Sequence, residues 1–140
     1  MSTEDNKALL RQFYEEVLNQ HNLAAMEKYI APDCVDHDLP PGMPQGIEGV
    51  KMFASIFFTA FPDIRIKAED MIAEGDKVVA RISFGGTHQG AFQGIPPTGK
   101  QVKVSGIDIV RISGGKIVEH WSNLDQMGML QQLGVMPAPG

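Results

Sequence analysis

A chain of 140 residues with 43% apolar and 21% charged side chains has the length of one domain, 1–140, and a globular composition, which excludes a disordered or low-complexity polypeptide. Its 12 basic and 17 acidic residues leave a net charge of −5, which argues against a nucleic-acid backbone or an anionic membrane surface as partner. The single cysteine, Cys34, cannot form an intramolecular disulfide, no zinc-type Cys/His spacing occurs, and the longest mainly apolar stretch, 52–61, is too short to cross a bilayer.

The polar, acidic start has no hydrophobic signal region, so a cytoplasmic location is expected, and it leads into a first helix. Ser2 or Thr3 can cap that helix, and Glu4 and Asp5 suit the positive end of its dipole. Leu10, Phe13, Tyr14 and Val17 then recur at three- and four-residue steps and form a buried stripe. After the polar turn 19–22, a second short helix is predicted with Leu23, Met26, Tyr29 and Ile30 facing inward, ending at Pro32. Residues 34–37 can form a short strand, followed by a Pro- and Gly-rich loop at 40–46. The third helix is the clearest: Val50, Phe53, Ala54, Phe57, Phe58 and Phe61 keep helical spacing until Pro62. Its phenylalanines supply core, or the wall of a pocket.

Beyond residue 63 the apolar period becomes two. Strands are predicted from Ile64 toward Ile72, from Val78 to His88, from Val102 to Ile112 and from Ile117 to Leu124. Gly75 and Gly114-Gly115 mark tight turns, and 94–99 is a loop. Asp125 opens a last short helix closed by Gly134. Helices leading and antiparallel strands trailing define an α+β fold.

Three of the four histidines fall in strand-like segments, where imidazole can serve as acid or base near neutrality. His88 ends the face made by Val78, Ala80, Ile82 and Phe84, and a lone histidine there is equally a satisfied core residue. His120 shares one side of its strand with Val118 and Ser122, while Ile117, Glu119 and Trp121 share the other; periodicity does not say which side is inner. Asp108 stands among Val and Ile. Either it is held as an acid with a raised pKa, or it is exposed or paired with Arg81 or Arg111. Asp125 is explained by its capping position alone. Cys34 reads as a buried structural thiol. No HExxH, GxSxG, GxGxxG or Walker pattern is present.

Several segments taken together carry a resemblance: Arg11 to Asn19, Val35-Asp36-His37, Phe61-Pro62-Asp63, Glu74 to Val78, Gly86 to Gly90, Gly94 to Lys100, and Gly115 to Trp121 with Asp125 after it. In this order, from about residue 7 to 134, the chain resembles the SnoaL-like polyketide cyclase and ester cyclase family of the nuclear transport factor two-like superfamily. The resemblance implies a cone-shaped fold, a curved, mostly antiparallel sheet wrapping N-terminal helices around a deep apolar pocket, in a homodimer. It implies ring closure of a small apolar carbonyl substrate by intramolecular aldol condensation, with no metal and no organic cofactor.

An acidic residue near the end of the last strand is the family's acid/base, and Asp125 is the match. In the related ketosteroid isomerases a Tyr, a carboxylate base and an acid serve; Tyr14 and Asp108 fall where the Tyr and acid would be, while His37 replaces the base. The expected catalytic set is therefore Asp125, His120, His88 and His37. Tyr14, Phe53, Phe57, Phe84, Asp108 and Trp121 are the expected substrate contacts. Two alternatives stay open. One is an isomerase or an epoxide hydrolase, which would need an arginine between two aspartates; the other is a non-catalytic carrier of a small molecule.

Overall fold

The computed structural model describes residues 2–137; Met1 and 138–140, the ends of the expected 1–140 domain, lie outside the described residues. Helix α1 (Thr3–Phe13) starts where the cap was predicted. The Ser2 hydroxyl accepts the Asp5 N–H at 3.0 Å, and the Asp5 carboxylate accepts the Ser2 N–H at 3.2 Å. Such a reciprocal cap is worth about 1 kcal/mol. The buried stripe of Leu10, Phe13, Tyr14 and Val17 is present, but the helix does not stay α-helical along it. It widens into π-helical turns over Tyr14–Asn19, a distortion that proteins concentrate at functional sites. Asn19 then clamps the segment to a sheet edge, its amide accepting the Ile66 N–H at 2.7 Å and donating to the Ile66 carbonyl at 3.0 Å.

The second helix is shorter than expected, a 3-10 segment Leu23–Lys28. It cannot run to Pro32, because β1 (Ile30–Asp36) has already begun two residues earlier and pairs in parallel with the last strand. Pro32 is tolerated in a strand because β1 lies at the edge of the sheet. Helix α2 (Ile47–Ala60) and strands β2 (Arg65–Glu74), β3 (Lys77–Thr87), β4 (Gln101–Ser113) and β5 (Lys116–Leu124) follow the prediction closely, and α3 (Gln126–Leu133) closes the order. Gly134 ends α3 with φ at +80°, a left-handed conformation that suits glycine.

The five strands run β1-β5-β4-β3-β2 in one curved mixed sheet, antiparallel except for β1 against β5. Two buried clusters fill its concave side. One joins Leu10, Phe13, Val17, Met26 and Cys34 to Val78, Ala80 and Val110; the other joins Phe61, Phe84 and Phe92 to Val104, Met129 and Leu133. Simple alternation fails in β5. Ile112 pairs with Ile117 but Arg111 pairs with Glu119, so Val118 is an inserted bulge residue. The bulge puts Ile117 and His120 on the same inner side, although strict alternation separates them. Among the described residues no helix is long and apolar enough to cross a membrane.

Candidate active site

The inner face of β4 is Val102, Val104, Gly106, Asp108, Val110 and Ile112, and a single carboxylate interrupts that row. Asp108 is 6% exposed. A bare carboxylate there would be costly, and three neighbours answer it. The Tyr14 hydroxyl, at the start of the π-helical segment, donates to Oδ2 at 2.7 Å. His120 Nε2, two residues along β5 from the pairing partner Ser122 and so on the same face, lies 3.3 Å from Oδ1. Ser122 stands directly across the ladder from Asp108 and helps to lower its pKa.

His120 is held from its other side as well, its Nδ1 lying 3.0 Å from Asp36 Oδ2 at the end of β1. The second oxygen of Asp36 accepts the Asp38 N–H at 2.9 Å. An imidazole between two carboxylates donates from both nitrogens, so it is an imidazolium. Burial alone would lower its pKa, but the hydrogen bonds and charges of Asp108 and Asp36 push it up to about 10. Asp108 shows the converse balance. Burial raises its pKa, but the hydrogen bond and charge of His120, with the Tyr14 and Ser122 hydroxyls, bring it below the usual carboxylate value. Tyr14 stays a phenol, its pKa raised by burial and by the Asp108 charge. Asp108 is thus ionised and paired with a histidine. Neither the raised pKa nor the arginine pairing expected for it occurs: Arg81 binds Asp70 and Arg111 binds Glu119, both through the opposite, outer side of the sheet.

Tyr14, Asp36, Asp108, His120 and Ser122 line one end of a cavity of about 160 Å³. The rest of its wall is apolar and aromatic, with Phe13, Phe53, Phe57, Phe58 and Phe84 among the lining side chains. Tyr14, Asp36 and Asp108 are deeply buried, whereas Phe53, Phe57 and Phe58 are partly exposed, so the polar groups form the closed end and α2 the mouth. A larger open depression of about 640 Å³ on the surface contains none of the five polar residues. Among the described residues no group of three or more His, Cys, Asp or Glu is arranged to hold a metal ion.

The expected residues therefore divide. Tyr14, Phe53, Phe57, Phe84, Asp108 and His120 meet at the cavity. Trp121 and His37 do not line it; they stack on each other, centroids 4.8 Å apart, on the outer face, where His37 also contacts Glu119 at 2.7 Å. The parity of β5 beyond the bulge turns Trp121 outward whenever His120 turns inward. Asp125 caps α3, accepting the Gly128 N–H at 2.9 Å, and is not part of the cavity wall. A Cβ at Gly128 would lie 2.1 Å from the Asp125 carboxylate, so glycine there makes room for the cap. Cys34 is buried, and desolvation pushes its thiol up to about 11, away from nucleophilic use.

His88 is fully buried, but in the second cluster against Phe61, 5.5 Å between ring centroids. Its Nδ1 accepts the Thr98 N–H at 3.2 Å and lies 3.0 Å from the Thr98 hydroxyl, which ties down the loop between β3 and β4. Replacing His88 with Ala removes this tie and leaves a void. A loss of about 2–4 kcal/mol in unfolding free energy is expected by urea titration, at unchanged pH dependence of activity.

Asp36 is the member of the site that sequence reasoning missed, although a signal existed. Cys34 was expected to be buried, and Asp36 lies two residues further along the same strand, hence on the same face.

A model of the SnoaL-like polyketide cyclase family matches residues 8–133. The nogalonic acid methyl ester cyclase of Streptomyces nogalater is 31% identical over 114 residues, 78% of this chain and 83% of that protein. An aklanonic acid methyl ester cyclase of Streptomyces peucetius is 25% identical over 107 residues, 76% of this chain and 72% of the other. Among solved structures, TsrD from Streptomyces laurentii superposes with a TM-score of 0.89 at 28% identity, covering 97% of this chain and 99% of TsrD. With the match spanning nearly all of its length, the chain belongs to the SnoaL-like polyketide cyclase family and is a cyclase-type enzyme.

Proposed function

We propose that the protein closes a ring within a small carbonyl compound by an intramolecular aldol reaction, with Asp108 as base and His120 as hydrogen-bond donor to the oxyanion. The observation that carries this reading is the ionised, buried Asp108 set against an imidazolium at one end of an apolar cavity. Asp108 removes a proton from the carbon next to a carbonyl. The His120 Nε2–H, 3.3 Å from Asp108 and therefore loosely held, turns to the enolate oxygen as charge develops there. The enolate carbon then bonds to a second carbonyl carbon of the same molecule. The new alkoxide takes the proton back from Asp108, so no proton is gained or lost overall. Tyr14 fixes the Asp108 carboxylate, and the phenylalanine wall folds the substrate so that its reacting carbons meet.

Asp125, His37 and His88 carry no chemical role in this reading, because none of them lines the cavity. The test is solvent-deuterium uptake at the α-carbon of acetophenone. Wild type and Asp125→Asn should both catalyse it, and Asp108→Asn should not. Loss in Asp125→Asn with retention in Asp108→Asn would reverse the assignment.

The dimer that the resemblance implies is also part of the proposal. Ile72, Val79, Ile109 and Trp121 pair in one row across four strands of the outer face, beside Ile107, which is 48% exposed. An apolar row of this kind suits a second copy of the sheet. Sedimentation should give a dimer for wild type and a monomer for Ile107→Arg; a monomeric wild type would end this part.

A further inference from the structure

We infer that Gln45 is a positioning residue for His120: its side-chain amide fixes the backbone of Asp36 at the open edge of β1 and so keeps the Asp36 carboxylate on His120 Nδ1. Only its effect on rate depends on the chemistry proposed above; its hold on His120 stands on hydrogen bonds alone.

Strand β1 is an edge strand, paired on one side only, with β5. The backbone of His37 turns toward β5, donating its N–H to the His120 carbonyl at 3.0 Å. The backbone of Asp36, one residue earlier, therefore turns to the open edge. Both of its polar groups meet Gln45 there. Oε1 accepts the Asp36 N–H at 3.2 Å, and Nε2 donates to the Asp36 carbonyl at 3.2 Å. One planar amide thus stands in for a residue of a neighbouring strand. Among side chains only Asn and Gln carry donor and acceptor on such a group.

The loop before α2 brings Gln45 to that edge. Pro40, Pro41 and Pro44 narrow its conformations, and Gly46 follows with φ at +89°. A Cβ on Gly46 would lie 2.6 Å from the Pro32 carbonyl, so the loop rests against β1 at a contact that suits glycine. With its backbone held on both edges, Asp36 has both carboxylate oxygens committed, one to the Asp38 N–H at 2.9 Å and one to His120 Nδ1 at 3.0 Å. The imidazole plane is fixed in turn, with Nε2 directed at Asp108.

The groups that face His120 are Asp36 from β1, Asp108 from β4 and, through Asp108, the Tyr14 hydroxyl. Glu119, next to it on β5, is occupied on the outer face by His37 and Arg111. Gln45 is exposed, so an apolar replacement is tolerated and water takes over both bonds. The last residue of β1 then frays, and its carboxylate spends less time on Nδ1.

The test is the protonation of His120 in the resting protein, followed by imidazole nitrogen NMR. Wild type should keep both ring protons until the pH approaches about 10. Gln45→Leu should lose one about a pH unit earlier, a tenfold weaker hold on the proton. The Asp36 amide should exchange several-fold faster. In acetophenone deuterium uptake, kcat should fall about three- to tenfold with KM little changed, and the alkaline limb should move with His120. Gln45→Met serves equally if Gln45→Leu folds poorly, and Met43→Ala, which disturbs the same loop without touching the amide, should leave His120 as in wild type.

An unmoved His120 midpoint in the Gln45 variants overturns the inference, whatever happens to the melting temperature. An equal shift in Met43→Ala overturns it too, because the loop as a whole would then be responsible. The two readings separate cleanly. If the midpoint moves while deuterium uptake is unchanged in Gln45→Leu and in Asp108→Asn, the proposed chemistry falls and the positioning role stands; if Asp108→Asn is dead and the midpoint is unmoved, the reverse holds.

Discussion

Replacing Asp108 with Asn should lower kcat/KM by roughly a thousandfold, the scale on which a positioned general base contributes. Asparagine keeps the shape and still accepts from Tyr14, so the cavity is preserved and the loss reports the missing base. The change also removes one of the two carboxylates that hold the proton on His120, and the imidazolium becomes easier to deprotonate. Both effects act in the same direction, which is why the expected loss lies toward the upper end for a single residue. Tyr14→Phe, by contrast, leaves base and imidazolium in place and removes one charge-assisted hydrogen bond. It should cost about tenfold in kcat with little change in KM. Near-wild-type activity of Asp108→Asn, with a native circular dichroism spectrum, would exclude Asp108 as base.

The order of elements was legible in the sequence because long periodic stretches announce themselves. The phenylalanines of α2 keep helical spacing, and the turns at Gly75 and Gly114-Gly115 separate alternating apolar strands. The strand that carries Asp108 was legible too, as a run of Val and Ile from Val102 to Ile112. What the carboxylate does there was not. Its state depends on Tyr14, 94 positions earlier, and on His120, brought across by pairing and a bulge that no alternation rule contains. Asp125 drew attention because it lies near the end of the last strand, but three residues on, its own cap to Gly128 already accounts for it. His37 and Trp121 were misplaced for one reason: their sheet face is set by β1 and β5 pairing, with His37 donating its backbone N–H to the His120 carbonyl at 3.0 Å.

The paired charges make stability and activity depend on pH in a direction that a neutral histidine base would reverse. His120 titrates near 6.5 in the unfolded chain and at about 10 in the folded one. Its contribution to stability is therefore complete below about 6.5 and is lost as the pH rises toward 10. Within that window unfolding releases a proton, and the unfolding free energy should fall by about 1.4 kcal/mol per pH unit. Asp108, lowered on folding, acts at the other end: its contribution is present above the ordinary aspartate value and disappears as acid protonates it. Urea titrations near pH 7 and near pH 9 should show a clear loss in wild type, and His120→Gln should show little of it. Activity follows the same logic. With Asp108 as base and the imidazolium as donor, kcat/KM should pass level through pH 6.5 and decline only as about 10 is approached. An acid limb centred near 6.5 would mean that a neutral histidine is the base, and the Asp36–His120–Asp108 pairing would then be structural.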